Sequence, residues 1–187
     1  MSNNPANMPA AGIRIVQSGH TSLFRCNVTS ALKGLEVIPT TSQDVSYLFI
    51  DHCLFDSCST HGAYFYASAA ASARIRSVVS VNSWYSGTLA TGSGIEFAVA
   101  NSAIIDGFTF IGCRMLNNYN NGVTIGAGPQ NISFTDCQIA GNGQQTSNTY
   151  DGISIAANTN NISIANNDIR QIGTAGNQQR YAVNVAA

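Results

Sequence analysis

The stretch Asn131-Ile-Ser-Phe-Thr-Asp-Cys-Gln-Ile139, followed after a turn by Gly152-Ile-Ser-Ile155, contains two short phrases that recur along the chain. The second phrase is a glycine followed by two apolar residues with one variable residue between them. Its copies begin 22 to 32 residues apart, at Gly12, Gly34, Gly62, Gly94, Gly122 and Gly152, with a weaker copy at Ala182. Self-similarity at such a period is typical of stacked structural units, so residues with related roles are expected at equivalent positions of successive repeats.

Both phrases alternate apolar and variable residues, which is the pattern of a strand with one buried face. The first phrase, apolar-x-apolar-x-x-Cys/Asn-x-apolar, occurs also at 48–55, 108–115 and 162–169, and turns rich in asparagine and glycine follow it. Short strands repeated in this way bury their apolar faces when each pairs with its copy one coil further on. The sequence therefore predicts an all-β fold, a parallel β-helix of about six to seven coils.

The predicted coil stacks equivalent apolar residues in ladders inside the β-helix. One wall would consist of Ile15, Val37, Phe65, Phe97, Ile125, Ile155 and Val185, and another of Ile50, Phe110, Phe134 and Ile164. The coil that contains Ala69 to Tyr85 fits the second phrase only approximately. An insertion or a bulged rung is therefore predicted there.

The domain organisation follows from the extent of the repeat. Residues 1–11 are polar and contain two prolines, which predicts an irregular N-terminal arm, and residues 12–187 form the β-helix domain. A β-helix has unpaired strand edges at both ends unless something covers them. We therefore interpret the chain as part of a longer polypeptide or as one that relies on a partner.

Four of the five cysteines fall at one equivalent position of the repeat. Cys26, Cys53, Cys113 and Cys137 form this column, Asn167 continues it, and the irregular coil is missing from it. Cysteine packs as a small hydrophobe at a tight inward bend, which favours a structural stack of thiols. Without paired Cys-x-x-Cys knuckles or a close histidine, no metal site is predicted. Cys58 lies outside the column.

The composition narrows the classes of partner. Only 9% of the residues are charged and the formal net charge is −1, which gives no electrostatic footprint for nucleic acid or an anionic membrane. No apolar stretch is long enough for a signal peptide or a membrane span, so no membrane insertion is expected and folding in a cytoplasm is predicted if Met1 is the natural start. No cofactor is indicated, and partners that hydrogen-bond to neutral polar surfaces, such as sugars, remain.

The variable residue of the glycine phrase faces outward and gives candidate catalytic residues. The outward column is Arg14, Glu36, Tyr64, Glu96, Thr124, Ser154 and Asn184. Adjacent coils lie about 4.8 Å apart, so the backbones of Glu36 and Glu96 would be roughly 10 Å apart. Inverting glycosidases hold two carboxyl groups about 6.5–9.5 Å apart. This pair is therefore the candidate acid and base, and the alternative is a merely solvated surface.

Aromatic residues near this column are candidates for substrate binding. Tyr64, Trp84 and Tyr85 could offer ring faces on which sugars stack. The neighbouring Asp51 and His52 could in principle act as base and acid, but adjacent residues of a strand point to opposite faces, so stabilisation of the corner is the favoured interpretation.

The phrase at 131–139 and its glycine partner resemble the repeat of right-handed parallel β-helix proteins of the pectate-lyase-like superfamily. The uncharged, asparagine-rich sequence is most similar to bacteriophage tailspikes. This resemblance implies a homotrimeric virion protein, located in the phage tail, that recognises host surface polysaccharide and in many members cleaves it as a glycoside hydrolase. No catalytic signature of the family matches residues of this chain.

Two alternatives remain open at this point. One is an extracellular polysaccharide lyase or epimerase of the same fold, although Lys33 is the only lysine available as a base. The other is a structural spacer, a stiff β-helix without a ligand.

Overall fold

In the computed structural model the described residues are 8–39, 43–67, 73–100, 103–146, 148–172 and 179–186, and the strands they form make three parallel sheets. The first sheet contains Ala11–Ile15 (β1), Lys33–Val37 (β4), His61–Ala67 (β7), Ile95–Val99 (β10), Val123–Ile125 (β13), Ile153–Ile155 (β16) and Val183–Val185 (β19). The second contains Thr21–Phe24 (β2), Asp44–Asp51 (β5), Arg74–Val81 (β8), Ile104–Ile111 (β11), Gln130–Thr135 (β14) and Asn160–Ala165 (β17). The third contains Asn27–Thr29 (β3), Leu54–Asp56 (β6), Trp84–Ser86 (β9), Arg114–Leu116 (β12), Gln138–Ala140 (β15) and Asp168–Arg170 (β18).

This topology confirms the predicted parallel β-helix. The chain visits the three sheets in turn, and each strand pairs in parallel with its equivalents in the preceding and following coils. Six strands in each of the second and third sheets are separated by five turns of the coil, slightly fewer than the six to seven predicted.

The first strand begins at Ala11, one residue before the predicted domain boundary, and most of the predicted arm lies outside the described residues. The right-handed winding stays a prediction, supported by the general rule for parallel crossovers.

The register of the predicted first wall is confirmed along its whole length, and its members from Ile15 to Ile155 are buried. Strand pairing aligns each member with the next, from Ile15 opposite Val37 to Ile155 opposite Val185. The second wall is also confirmed, and Ser80 occupies the rung between Ile50 and Phe110. Apolar side chains thus fill the interior of the central coils, whereas Val185, in the last described coil, is 65% exposed.

The coil predicted to be irregular keeps its register. Strand β8 pairs continuously with β5 and β11, so the predicted insertion or bulged rung is not found in its described part, and residues 68–72 lie outside that part. The sequence pattern predicted an irregular coil because Ser80 is a polar residue at a core position. Its Oγ lies 2.8 Å from the Tyr85 hydroxyl and 3.4 Å from Cys113 Sγ, and buried polar groups satisfied in this way are tolerated.

The glycine of the repeated phrase has a steric cause. A Cβ added to any of the five glycines from the second to the sixth coil would come 2.5–2.7 Å from the carbonyl oxygen of the equivalent residue in the next coil. These are Gly34, Gly62, Gly94, Gly122 and Gly152. Real Cβ atoms essentially never approach an atom so closely, so glycine is required where successive coils touch.

The predicted column of cysteines is present at the corner between the second and third sheets, and Ser83 fills the position that the pattern left vacant. The Cys53 backbone N–H donates to Ser83 Oγ at 3.1 Å, and the Cys137 N–H donates to Asn167 Oδ1 at 2.7 Å. All five cysteines carry free thiols. Among the described residues no group of three or more His, Cys, Asp or Glu side chains could hold a metal ion.

Cys58 belongs to a second inward column, at the corner after the third sheet. Thr88, Asn118 and Asn142 continue it, and the Asn118 side-chain amide donates to Asn142 Oδ1 at 2.9 Å. Because Cys58 is fully buried, a polar ladder and a thiol share one desolvated corner.

Because the Cys58 thiol is buried, the free energy of unfolding is expected to fall at alkaline pH. Burial raises the pKa of the Cys58 thiol from 9.0 to about 11. An unfolded chain therefore loses this proton in a window where the folded chain keeps it, so the stabilisation is complete below pH 9 and is lost as the pH rises to 11. We expect a loss of about 2 kcal/mol from this group. Urea unfolding of the wild type and of Cys58→Ala at stepped pH measures it, and a difference between the two that stays constant across the window would contradict it.

Candidate functional site

The predicted catalytic column lies on the outer face of the first sheet in the predicted register. Arg14 is opposite Glu36, Glu36 opposite Tyr64, and Tyr64 opposite Glu96. The two candidate carboxylates are thus two coils apart on one face, with an aromatic ring between them. Strand pairing alone produces this arrangement, because side chains at equivalent positions point the same way.

Glu36 is held in ion pairs on both of its carboxylate oxygens. Arg14 Nε lies 3.1 Å from Oε2 and Lys33 Nζ lies 2.6 Å from Oε1, and Glu36 is only 5% exposed. A general acid or base must reach the proton that it transfers, whereas both oxygens here already accept hydrogen bonds from cations. The surroundings of Glu36 favour a structural ion pair, and its catalytic role stays a prediction.

Glu96 has a different environment. His61 Nε2 lies 2.9 Å from Glu96 Oε2, and the Glu96 side chain remains 29% exposed. Tyr64 packs between these groups, and burial, reinforced by the negative charge of Glu96, raises the pKa of Tyr64 to about 12. Lys33 Nζ lies 5.0 Å from the Tyr64 ring centre, which is a cation–π contact.

Tyr85 cannot serve as a sugar-binding surface, and the prediction for this residue is wrong. Its side chain is fully buried in the core. The ring stacks on Phe55 with a centroid distance of 5.4 Å. Alternation along β9 explains the error, because neighbouring residues of a strand face opposite sides and Trp84 takes the outward position.

Trp84 is exposed and lines a hollow at the corner between the second and third sheets. It is 38% exposed, and the guanidinium carbon of Arg114 lies 4.6 Å from its ring centre. His52, Leu54 and Asn82 line the same hollow, which has a volume of about 280 Å³. The His52 ring is oriented by Asp51, with 2.6 Å between Nδ1 and Oδ1. An apolar ring beside a few convergent polar groups is the usual composition of a small-ligand site.

Sequence reasoning missed Tyr47, which stands out on the second sheet. This sheet bends at a column of left-handed residues, and the other four members are Ser77, Gly107, Asn131 and Asn161. Tyr47 has a φ of 53°, a conformation that costs a bulky residue about 1–2 kcal/mol, and it is 58% exposed. A tyrosine in a column of Ser, Gly and Asn is the sequence signal that could have identified it.

Two further hollows adjoin Tyr47. One, of about 340 Å³, is lined by Ser46, Tyr47, Arg76 and Ser77. The other, of about 300 Å³, is lined also by His20 and Phe49. The structure thus places the candidate residues apart: Glu36, Tyr64 and Glu96 lie on the first sheet, whereas the hollows described here follow β5, β8 and the corner beyond them.

The fold and these surfaces define a parallel β-helix protein built from repeated coils of three strands, with exposed aromatic residues beside shallow hollows. Comparison of the chain with family models, with curated proteins and with solved structures gave no match. Among the described residues, no helix is long and apolar enough to cross a membrane.

Proposed function

We propose that this protein is a tailspike-like β-helix that binds a polysaccharide of a bacterial cell surface, with Trp84 as the principal contact. The observation that supports it is the exposed Trp84 ring at the rim of a hollow that also presents His52 and Asn82. Pyranose rings have apolar faces and hydroxyl edges, so an aromatic ring next to imidazole and amide groups suits them. The low content of charged residues agrees with a neutral, hydroxylated ligand.

Trp84→Ala is the direct test of this proposal. We expect a purified protein to be retained by one or more bacterial surface polysaccharides on a glycan array, and the variant to bind about tenfold more weakly, because loss of a stacked aromatic ring removes about 1.4 kcal/mol. The matched control is Tyr181→Ala. Tyr181 is 55% exposed, and the guanidinium carbon of Arg180 lies 5.1 Å from its ring centre, but Tyr181 lies just before β19, in the last described coil.

The two outcomes that contradict the proposal are clear. If the wild-type protein retains no polysaccharide on the array, the proposed binding function is wrong and the structural spacer is favoured. If the wild type and Trp84→Ala bind polysaccharide equally well, the binding site does not lie at the corner hollow.

The surroundings of Lys33 do not favour a lyase or epimerase. Lys33, the only lysine, is engaged with Glu36 at 2.6 Å, which opposes a role as a free base. Depolymerisation by Glu36 and Glu96 as a hydrolase stays a prediction, with the ion pairs of Glu36 against it.

The proposed assembly is a homotrimer in the tail of a phage virion, with an extracellular protein as the alternative. This assembly is what the resemblance to bacteriophage tailspikes implies.

A further inference from the structure

The hollows on the second sheet and at the corner beyond it form a row on two neighbouring coils. Tyr47 and Ser77 lie in the middle of the paired strands β5 and β8, and His52 and Asn82 directly follow the ends of these strands. From Tyr47 to Asp51 is four residues, or about 13 Å of strand, and Trp84 lies past the corner. The row therefore runs along the strands and across the axis on which the coils stack.

The Tyr47 end of the row has the features of a ring-binding surface. The His20 and Tyr47 rings are stacked, with centroids 4.7 Å apart and an interplanar angle of 14°. Hydroxyl groups of Ser22, Ser46 and Ser77 lie around them. The left-handed backbone at Tyr47 directs this ring outward, at a position where two later coils have asparagine. Strained residues that surrounding structure holds in place are concentrated at ligand-binding sites.

Most polar groups along the row already have partners within the protein. Arg76 pairs with Asp44 at 2.6 Å, His52 Nδ1 lies 2.6 Å from Asp51 Oδ1, and the guanidinium carbon of Arg114 lies 4.6 Å from the Trp84 ring centre. A ligand that enters the row therefore meets mainly aromatic faces, hydroxyl groups and an amide, with the Arg114 guanidinium packed on the Trp84 ring. This combination suits a neutral sugar chain better than an acidic one.

We propose that Tyr47 and Trp84 are the two ends of one binding track, which takes a neutral oligosaccharide lying along β5 and β8, across the stacking axis of the coils. This inference rests on the proposed function. It adds the direction of the bound oligosaccharide, a second ring-binding site and the absence of charge on the sugar. Only an oligosaccharide long enough to span more than about 13 Å contacts both ends.

Trp84 fluorescence gives a direct test because Trp84 is the only tryptophan. The probes are neutral polysaccharides retained on the array, cut by partial acid hydrolysis and separated into disaccharides and octasaccharides. For Tyr47→Asn we expect an affinity for octasaccharides about tenfold weaker than that of the wild type, unchanged affinity for disaccharides that reach Trp84 alone, and a melting temperature at least as high. Asparagine already occupies this left-handed position in two later coils, so the variant is expected to fold.

Tyr181→Asn is the matched control, since it removes a similarly exposed tyrosine that lies outside the row, just before β19, and the affinity of this variant is expected to equal that of the wild type. Unchanged octasaccharide affinity in Tyr47→Asn overturns the track while leaving binding at Trp84 intact. Retention of acidic polysaccharides alone overturns the proposed ligand class. Absence of any retained polysaccharide overturns the proposed function itself, so the failures are distinguishable.

Discussion

Replacing Gly94 by alanine is expected to lower the free energy of unfolding by about 3 kcal/mol, the upper end of what overpacking of a core usually costs. A Cβ at this position would lie 2.7 Å from the carbonyl oxygens of Gly122 and of Tyr85, and 2.6 Å from Asn118 Nδ2. Two of these atoms are backbone and the third belongs to the buried ladder of amides, so none can move freely. The fourth and fifth coils would have to separate, which weakens the hydrogen bond from the Ile95 N–H to the Gly122 carbonyl, now 3.0 Å.

Urea unfolding monitored by far-ultraviolet circular dichroism measures this effect. Gly19→Ala is the control, because a Cβ at Gly19 would meet nothing within 4 Å, and we expect a change of at most about 0.5 kcal/mol. Equal stability of the two variants would show that the recurring glycine has a cause other than close stacking of the coils.

Phe97→Ala is expected to destabilise the protein by about 3–5 kcal/mol. Phe97 is fully buried in the first wall. Its ring stacks on Phe65 at 5.3 Å and meets the edges of Phe108 and Phe110 at 5.1 and 6.0 Å. Backbone hydrogen bonds hold the coils at a set spacing, so the walls cannot collapse into the cavity and the full penalty is retained.

The same unfolding experiment applies, with Phe24→Ala as the control of matched residue type. Phe24 is 58% exposed on the second sheet, so its removal is expected to change stability by at most about 0.5 kcal/mol. Because the stability of a stacked repeat is a sum of local terms, hydrogen exchange is expected to increase mainly in the strands next to Phe97. A loss below 1 kcal/mol would mean that the aromatic stack is not the main support of the central coils.

Much of the interior was readable from the sequence. Ile15, Val37 and Phe65 were aligned correctly because residues that face the core recur at one position of each coil, and a shift of one residue would expose them all. Ser80 and Ser83 were missed because their hydroxyls also contact groups that only the folded coil brings near them, Cys113 Sγ for Ser80 and the Cys53 N–H for Ser83. No pattern of apolar residues contains that information.

The candidate site was less predictable. The column containing Glu36 and Glu96 was placed correctly, but the sequence could not show that Arg14 and Lys33 would take both oxygens of Glu36. Tyr85 was assigned to the surface because the inward or outward sense of a three-residue strand depends on how the preceding corner turns.

The amino-acid sequence by itself determined the architecture, the register of the coils and the members of the apolar ladders, since alternation within each strand and recurrence between coils are properties of the chain order. The tertiary structure alone decided which exposed residues lie beside hollows and which are locked in ion pairs. The physical reason is that side chains outside the core contact residues of other coils or residues beyond a corner. The directions of these side chains depend on backbone angles such as the left-handed bend at Tyr47 and on how the chain turns at each corner.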